Sequence, residues 1–150
     1  MDPKWPFFRY HYTPPRRTER DIAIAALSRT LGTTHRADFF GVLSTLVDAG
    51  DVIISDRLNH ASIIDGCRVS RPQVVTYRNC NVDQLRAALE NARAARHRLV
   101  VTDGVFSTEG GAAPLREIYH LAQAHDALLM VDEAHALGVV GPGGKGTAPR

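Results

Sequence analysis

Apolar residues fall along this chain in two alternating rhythms. Continuous runs occur at Val52-Ile53-Ile54, Val74-Val75-Thr76-Tyr77, Leu99-Val100-Val101-Thr102 and Ala127-Leu128-Leu129-Met130-Val131. Runs of that length, rich in branched aliphatics, suit strands of a sheet covered on both faces. Between them the apolar spacing opens to three and four. Ile63, Ile64 and Cys67 predict a helix over 61–69. Val82, Leu85 and Leu89 predict another, capped by Asn81, and Leu115, Ile118, Leu121 and Ala122 a third, opened by Pro114. Upstream, Leu27 and Leu31 place a helix over 19–31 that stops at Gly32. Phe39, Val42, Leu43, Leu46 and Val47 place one over 39–49 that ends at Gly50. Strand alternating with helix predicts βαβ units and a mostly parallel sheet, the α/β class.

The first residues break this rhythm. Pro3, Pro6, Pro14 and Pro15 stand among Trp5, Phe7, Phe8, Tyr10 and Tyr12, a proline density that excludes a regular helix. Residues 1–20 are read as a separate Pro- and aromatic-rich segment and 21–150 as one α/β domain, with compositional bias only in the glycine-rich stretch 138–147. With 150 residues, 44% hydrophobic and 23% charged, the chain has the composition of a globular domain with a core. A net charge of +2 is too small to argue for a nucleic-acid partner. Cys67 and Cys80 have no metal-binding spacing and make no disulfide framework, so a reduced, cytoplasmic setting is expected. No apolar stretch is long enough to span a membrane, and the N-terminus lacks the pattern of a secretory signal.

The chemistry concentrates where strands end. The run 127–131 leads directly into Asp132-Glu133-Ala134-His135, and ligands of open α/β sheets gather at the carboxyl ends of strands. Two chemistries share this junction. In a nucleotide-driven motor with a DEAH-type acidic box, the carboxylates would handle a metal ion and water. Gly143-Gly144-Lys145-Gly146-Thr147 then resembles a phosphate loop, but Gly146 stands where a hydroxyl must follow the lysine, and Val139 where the first glycine belongs. In pyridoxal 5'-phosphate (PLP) chemistry, a carboxylate keeps the pyridine nitrogen protonated and the ring an electron sink. Asp132 suits that task, and His135 can serve the phenolic oxygen. His60, in Asp56-Arg57-Leu58-Asn59-His60-Ala61-Ser62, follows strand 52–54, and Ser107, in Thr102-Asp103-Gly104-Val105-Phe106-Ser107, follows strand 99–102.

Taken singly, each residue has a plainer reading. His60 could cap a helix or sit at the surface, and Asp132 or Ser107 could be a helix cap. Asn59 and Ser62 read as structural neighbours of His60. His11, His35, His97, His120 and His125 read as surface residues, Lys145 as a solvated loop charge, and Arg86, Arg93 and Arg96 as an exposed face.

Three stretches carry a resemblance: GDVIISDRLNHASIIDG, VVTDGVFSTEGGAAPL and LLMVDEAHALGVVGPGGKG. In order and spacing they are similar to the middle of the α-oxoamine synthases, over residues 41–147. These are fold-type-I PLP enzymes, and the resemblance implies part of their large domain. The family condenses an amino acid with an acyl-CoA. Residues 102–107 look closer to its oxononanoate and ketobutyrate (glycine C-acetyltransferase) branches, and the overall likeness leans to the oxononanoate branch of biotin-type biosynthesis. The resemblance implies that His60 stacks on the ring and guides substrate, that Asp132 pairs with the ring nitrogen, and that Ser107 and His135 contact the phenolic-oxygen side. It also implies a homodimer.

The chain departs from the family's pattern in three places. The Schiff-base lysine should lie beyond the segment matching 132–147, and neither Lys4 nor Lys145, the only lysines, stands in that context. Residues 33–40 look altered where a phosphate cradle is expected, and residues 1–20 match nothing in it. The expectation is a fragment lacking the lysine region and C-terminal domain, inactive alone, with a non-catalytic remnant as the alternative.

Overall fold

The computed structural model describes Leu43 and residues 46–147. The segment 1–20, the helix expected over 19–31, most of the helix expected over 39–49 and the altered stretch 33–40 lie outside the described residues. Among the described residues from Val52 onward, four strands and three α-helices alternate in order: β1 (Val52–Asp56), α1 (Ala61–Val69), β2 (Gln73–Tyr77), α2 (Val82–Asn91), β3 (Arg98–Asp103), α3 (Leu115–Ala124) and β4 (Leu128–Asp132). A 3-10 turn follows at Pro142–Gly144. All pairings are parallel and the strand order is β2-β1-β3-β4. The chain steps from β1 to β2 in one direction, crosses back over β1 to β3, and continues to β4. Strand order thus reverses between β1 and β3, where doubly wound sheets open a crevice at the carboxyl edge.

Alternate strand residues supply two cores. Val52, Ile54, Val100, Leu129 and Val131 pack with Leu85 and Leu89 of α2 and with Leu115, Ile118 and Leu121 of α3. Ile53, Leu99, Val101 and Met130 point to the other face, against Ile63 and Cys67 of α1 and against Leu43 and Val47. Helices of nine and ten residues are too short to persist alone in water. Each fully buried aliphatic side chain contributes about 1.5–3 kcal/mol, so packing of these stripes against the sheet holds them. Ile64, expected inward with Ile63 and Cys67, is half-buried; α1 instead turns Ser62, Ile63, Gly66 and Cys67 to the core.

Three strands run further than their apolar residues. β1 continues through Ser55 and Asp56, which pair with Thr76 and Tyr77 of β2. β3 ends on Asp103 and β4 on Asp132, and these two pair with each other. The aspartates are the last strand residues, not the first loop residues.

The opposite edge of the sheet is locked by a different carboxylate. Asp51 accepts from Arg96 Nε and Nη2, both at 2.9 Å, and from the amides of Asp48 (2.8 Å) and His97 (3.1 Å). The Arg96 guanidinium holds the Asp51 carboxyl below its ordinary range, against the opposing effect of burial. Arg96, expected on an exposed helix face, lies beyond the end of α2 and is committed to this ion pair.

Candidate functional site

β1, β3 and β4 end side by side, each on a buried aspartate: Asp56, Asp103 and Asp132. Their burdens differ. Asp56 accepts from the Leu58 amide (2.9 Å), Asn79 Nδ2 (3.2 Å) and the Cys80 amide (2.9 Å), and so fastens the turns that leave β1 and β2. Asp132 accepts from the Ala134 amide at 2.8 Å, which tightens the turn carrying His135. Asp103 accepts from the His60 amide through Oδ2 at 2.9 Å, while its buried Oδ1 has no hydrogen-bond partner among the described residues. Burial first, then the negative charges of Asp132 and Asp56, push the Asp103 carboxyl up to about 7, against the pull of the His60 amide.

Asn59 fills the gap where β1 and β3 part. Their pairing stops at Ser55 and Val101, leaving backbone groups beyond it that need partners. Asn59 Nδ2 donates to the Val101 carbonyl (2.9 Å) and to Ser55 Oγ (3.0 Å), and its Oδ1 accepts from the Asp103 amide (2.8 Å). The side chain continues the ladder that the backbones abandon, and His60 follows it directly.

His60 is the N-cap of α1. Its Nδ1 lies 2.8 Å from Ser62 Oγ and accepts from the Ser62 amide at 3.3 Å, which in the neutral ring leaves the proton on Nε2. The plain capping role and a site role are therefore compatible: the cap fixes the ring. The His135 ring stands across from it, with centroids 6.3 Å apart and planes tilted by 56°. His60, Asp132 and His135 thus stand at one edge of the sheet, where Asp103 accepts from the His60 amide and pairs with Asp132 across β3 and β4. Ser107 lies at the same edge but on an exposed turn, closed by a Gly110 amide bond to the Phe106 carbonyl at 2.8 Å and anchored by the fully buried Phe106.

Glu133 turns elsewhere. It is buried and accepts from the Thr147 amide (3.0 and 3.1 Å) and the Thr147 hydroxyl (2.6 Å). The glycine-rich tail folds back to make this contact, and a Cβ on Gly146 would strike the Glu133 carboxylate. Lys145 is exposed, bridging backbone to backbone with Leu137. The stretch 143–147 is thus a cover over Glu133, not a phosphate loop between a strand and a helix, and the acidic-box reading fails on both counts.

Sequence reasoning quoted Asp103 without giving it a role and read Asn59 only as structural. The signal for Asp103 was the one used for Asp132, an aspartate closing an apolar strand.

The sequence model of the family described as aminotransferase class I and II matches residues 31–148. The chain belongs to that family. Among curated relatives, an 8-amino-7-oxononanoate synthase from Anaeromyxobacter dehalogenans is 56% identical over 108 residues, covering 72% of this chain and 27% of the relative. One from Marinobacter nauticus is 54% identical over 140 residues, covering 92% of this chain and 35% of the relative. An alignment that long takes in part of the segment before residue 21. Among solved structures, a serine palmitoyltransferase from S. paucimobilis with a bound PLP–myriocin aldimine superposes with a TM-score of 0.72 at 38% identity, over 76% of this chain and 29% of that one. An 8-amino-7-oxononanoate synthase from Francisella tularensis gives 0.63 at 32% identity, over 77% of this chain and 32% of that one. This family member therefore spans about a third or less of the relatives it matches. The expected fold, part of the large domain of such enzymes, is the fold observed. No described helix is long and apolar enough to cross a membrane.

Proposed function

We propose that this chain carries the cofactor-binding edge of a PLP-dependent acyltransferase that condenses an amino acid with an acyl-CoA, as in the 8-amino-7-oxononanoate synthases. The observation that carries the reading is the meeting of Asp132, His60 and His135 at the carboxyl ends of β1, β3 and β4, where sheet order reverses. The donor set fits a protonated pyridine ring: a buried carboxylate held by a backbone amide, and two imidazoles facing across a gap.

When bound, PLP supplies an electron sink for charge developing at the amino acid's α-carbon. Asp132 accepts the pyridine N–H and keeps that nitrogen protonated. His60, its ring fixed by Ser62, would cover the cofactor ring and exclude water from it. His135 and Ser107 hold the phenolic oxygen. Both partners of a homodimer would carry the same edge.

The test is calorimetric titration of the purified protein with PLP, for wild type and for Asp132→Ala, His60→Ala and Ser107→Ala. A hydrogen bond to a charged group contributes about 1.5–3 kcal/mol, so Asp132→Ala is expected to weaken binding by about 10–100-fold. Ser107→Ala, at an exposed position, should lose less. Absence of saturable PLP binding, or an Asp132→Ala affinity equal to wild type, overturns the assignment. Acyl-CoA-dependent consumption of alanine or glycine then tests the condensation itself.

A further inference from the structure

Asp103 is the middle carboxyl of three. Asp56 closes the strand on one side of it and Asp132 the strand on the other. Asp56 accepts three hydrogen bonds, and Asp132 receives the Ala134 amide. Asp103 is 2% exposed, accepts a single bond at Oδ2, and has an Oδ1 without a partner among the described residues. Other titratable groups around it are His60, on the turn into α1, His135 across from His60, and Glu133, whose carboxylate abuts Gly104 and is engaged by Thr147. Of three carboxyls in a row, the middle one is repelled from both sides, and here it is also poorly solvated. It is the one that takes a proton.

We propose that Asp103 is a positioning residue of the cofactor site: its buried Oδ1, without a partner among the described residues, carries a proton, while its Oδ2 ties the turn into α1 through the His60 amide. The inference rests on the PLP reading for its purpose but not for its test. A neutral Asp103 accepts from the His60 amide as a charged one would, while sparing Asp132 a second negative charge at the neighbouring strand end. Deprotonation of Asp103 would add a negative charge between its two neighbours.

The test is carbon-13 NMR of the aspartate carboxyls in the ligand-free protein, titrated from pH about 4 to 9. Asp103 and Asp132 are assigned through bonds to their own β-protons, so assignment does not depend on a variant that folds. Asp103→Asn mimics the protonated side chain and retains an acceptor for the His60 amide. The expected result is an Asp103 carboxyl that titrates about three units above its ordinary value of 3.8, near 7. In Asp103→Asn that signal is lost. An Asp103 carboxyl that titrates in the ordinary range overturns the proposal. With PLP added, Asp103→Asn should match wild-type affinity below pH about 7 and diverge above it, whereas Asp103→Ala should differ on both sides. Wild-type protein that binds no PLP would defeat the cofactor reading while leaving the ligand-free titration decisive for Asp103.

Discussion

Replacing Asn59 with alanine removes three buried hydrogen bonds at the point where β1 and β3 separate. The side chain is 4% exposed, and its partners are the Asp103 amide, the Val101 carbonyl and Ser55 Oγ. Ser55 keeps a weak bond of its own to the Asp56 carbonyl at 3.3 Å, so its loss is softened. The two backbone groups have no such substitute. Each buried polar group left unsatisfied costs about 1–3 kcal/mol, so Asn59→Ala should destabilise by about 3–4 kcal/mol after partial relief by entering water. Set against a typical domain stability of about 5–15 kcal/mol, that is a large fraction. Asn59→Asp is the informative control. It preserves shape and the acceptor for Asp103, but its carboxylate cannot donate to Val101 and adds a charge beside Asp56 and Asp103. It should be at least as destabilising at neutral pH. Urea unfolding followed by circular dichroism gives the magnitude, and amide exchange at Asp103 reports whether the break is local. A cost below about 1 kcal/mol for Asn59→Ala, with Asp103 protection intact, would refute the view that this side chain completes the ladder.

The two perturbed carboxyls should act on stability with opposite signs. Asp51, held low by Arg96, stabilises the fold above its unfolded value and loses that contribution as pH falls through its folded value. Asp103, raised to about 7, retains its proton longer in the folded state; through it stability falls as pH rises from 3.8 toward 7, with a slope of up to about 1.4 kcal/mol per pH unit. Unfolding curves across that range should show Asp103→Asn abolishing this slope while Asp51→Asn removes the acid-side loss. Gly104→Ala should release the tail, because the added methyl meets Thr147 Oγ1 where it binds Glu133. Proteolysis in the stretch 138–147 should quicken in that variant, and an unchanged cleavage rate would count against the packing described.

The elements themselves were legible in the sequence. Within the described residues both rhythms of apolar spacing correspond to strands and helices, and the boundaries of α1, the Asn81 cap of α2 and the Pro114 opening of α3 follow from local rules. These features depend on residues within a turn or two of one another, and the chain carries that information in order. The positions of Asp132, His60 and His135 at the carboxyl edge were legible too, because each lies at or within four residues of the end of an apolar strand. What local spacing could not give was strand order. Nothing in the runs 52–54, 74–77, 99–102 and 127–131 says that β1 lies between β2 and β3. That arrangement arises from which faces the helices cover and sets Asp56, Asp103 and Asp132 in a row. The polar extensions of the strands were invisible for the same reason: Ser55, Asp56, Asp103 and Asp132 are in strands only because a neighbouring backbone binds them. Asn59 looked ordinary because its two backbone partners, Val101 and Asp103, lie more than 40 residues away. Residue identity decided which groups could do chemistry. Tertiary structure decided which of them share one desolvated edge, because electrostatic coupling depends on distance and burial, and neither is written in sequence separation.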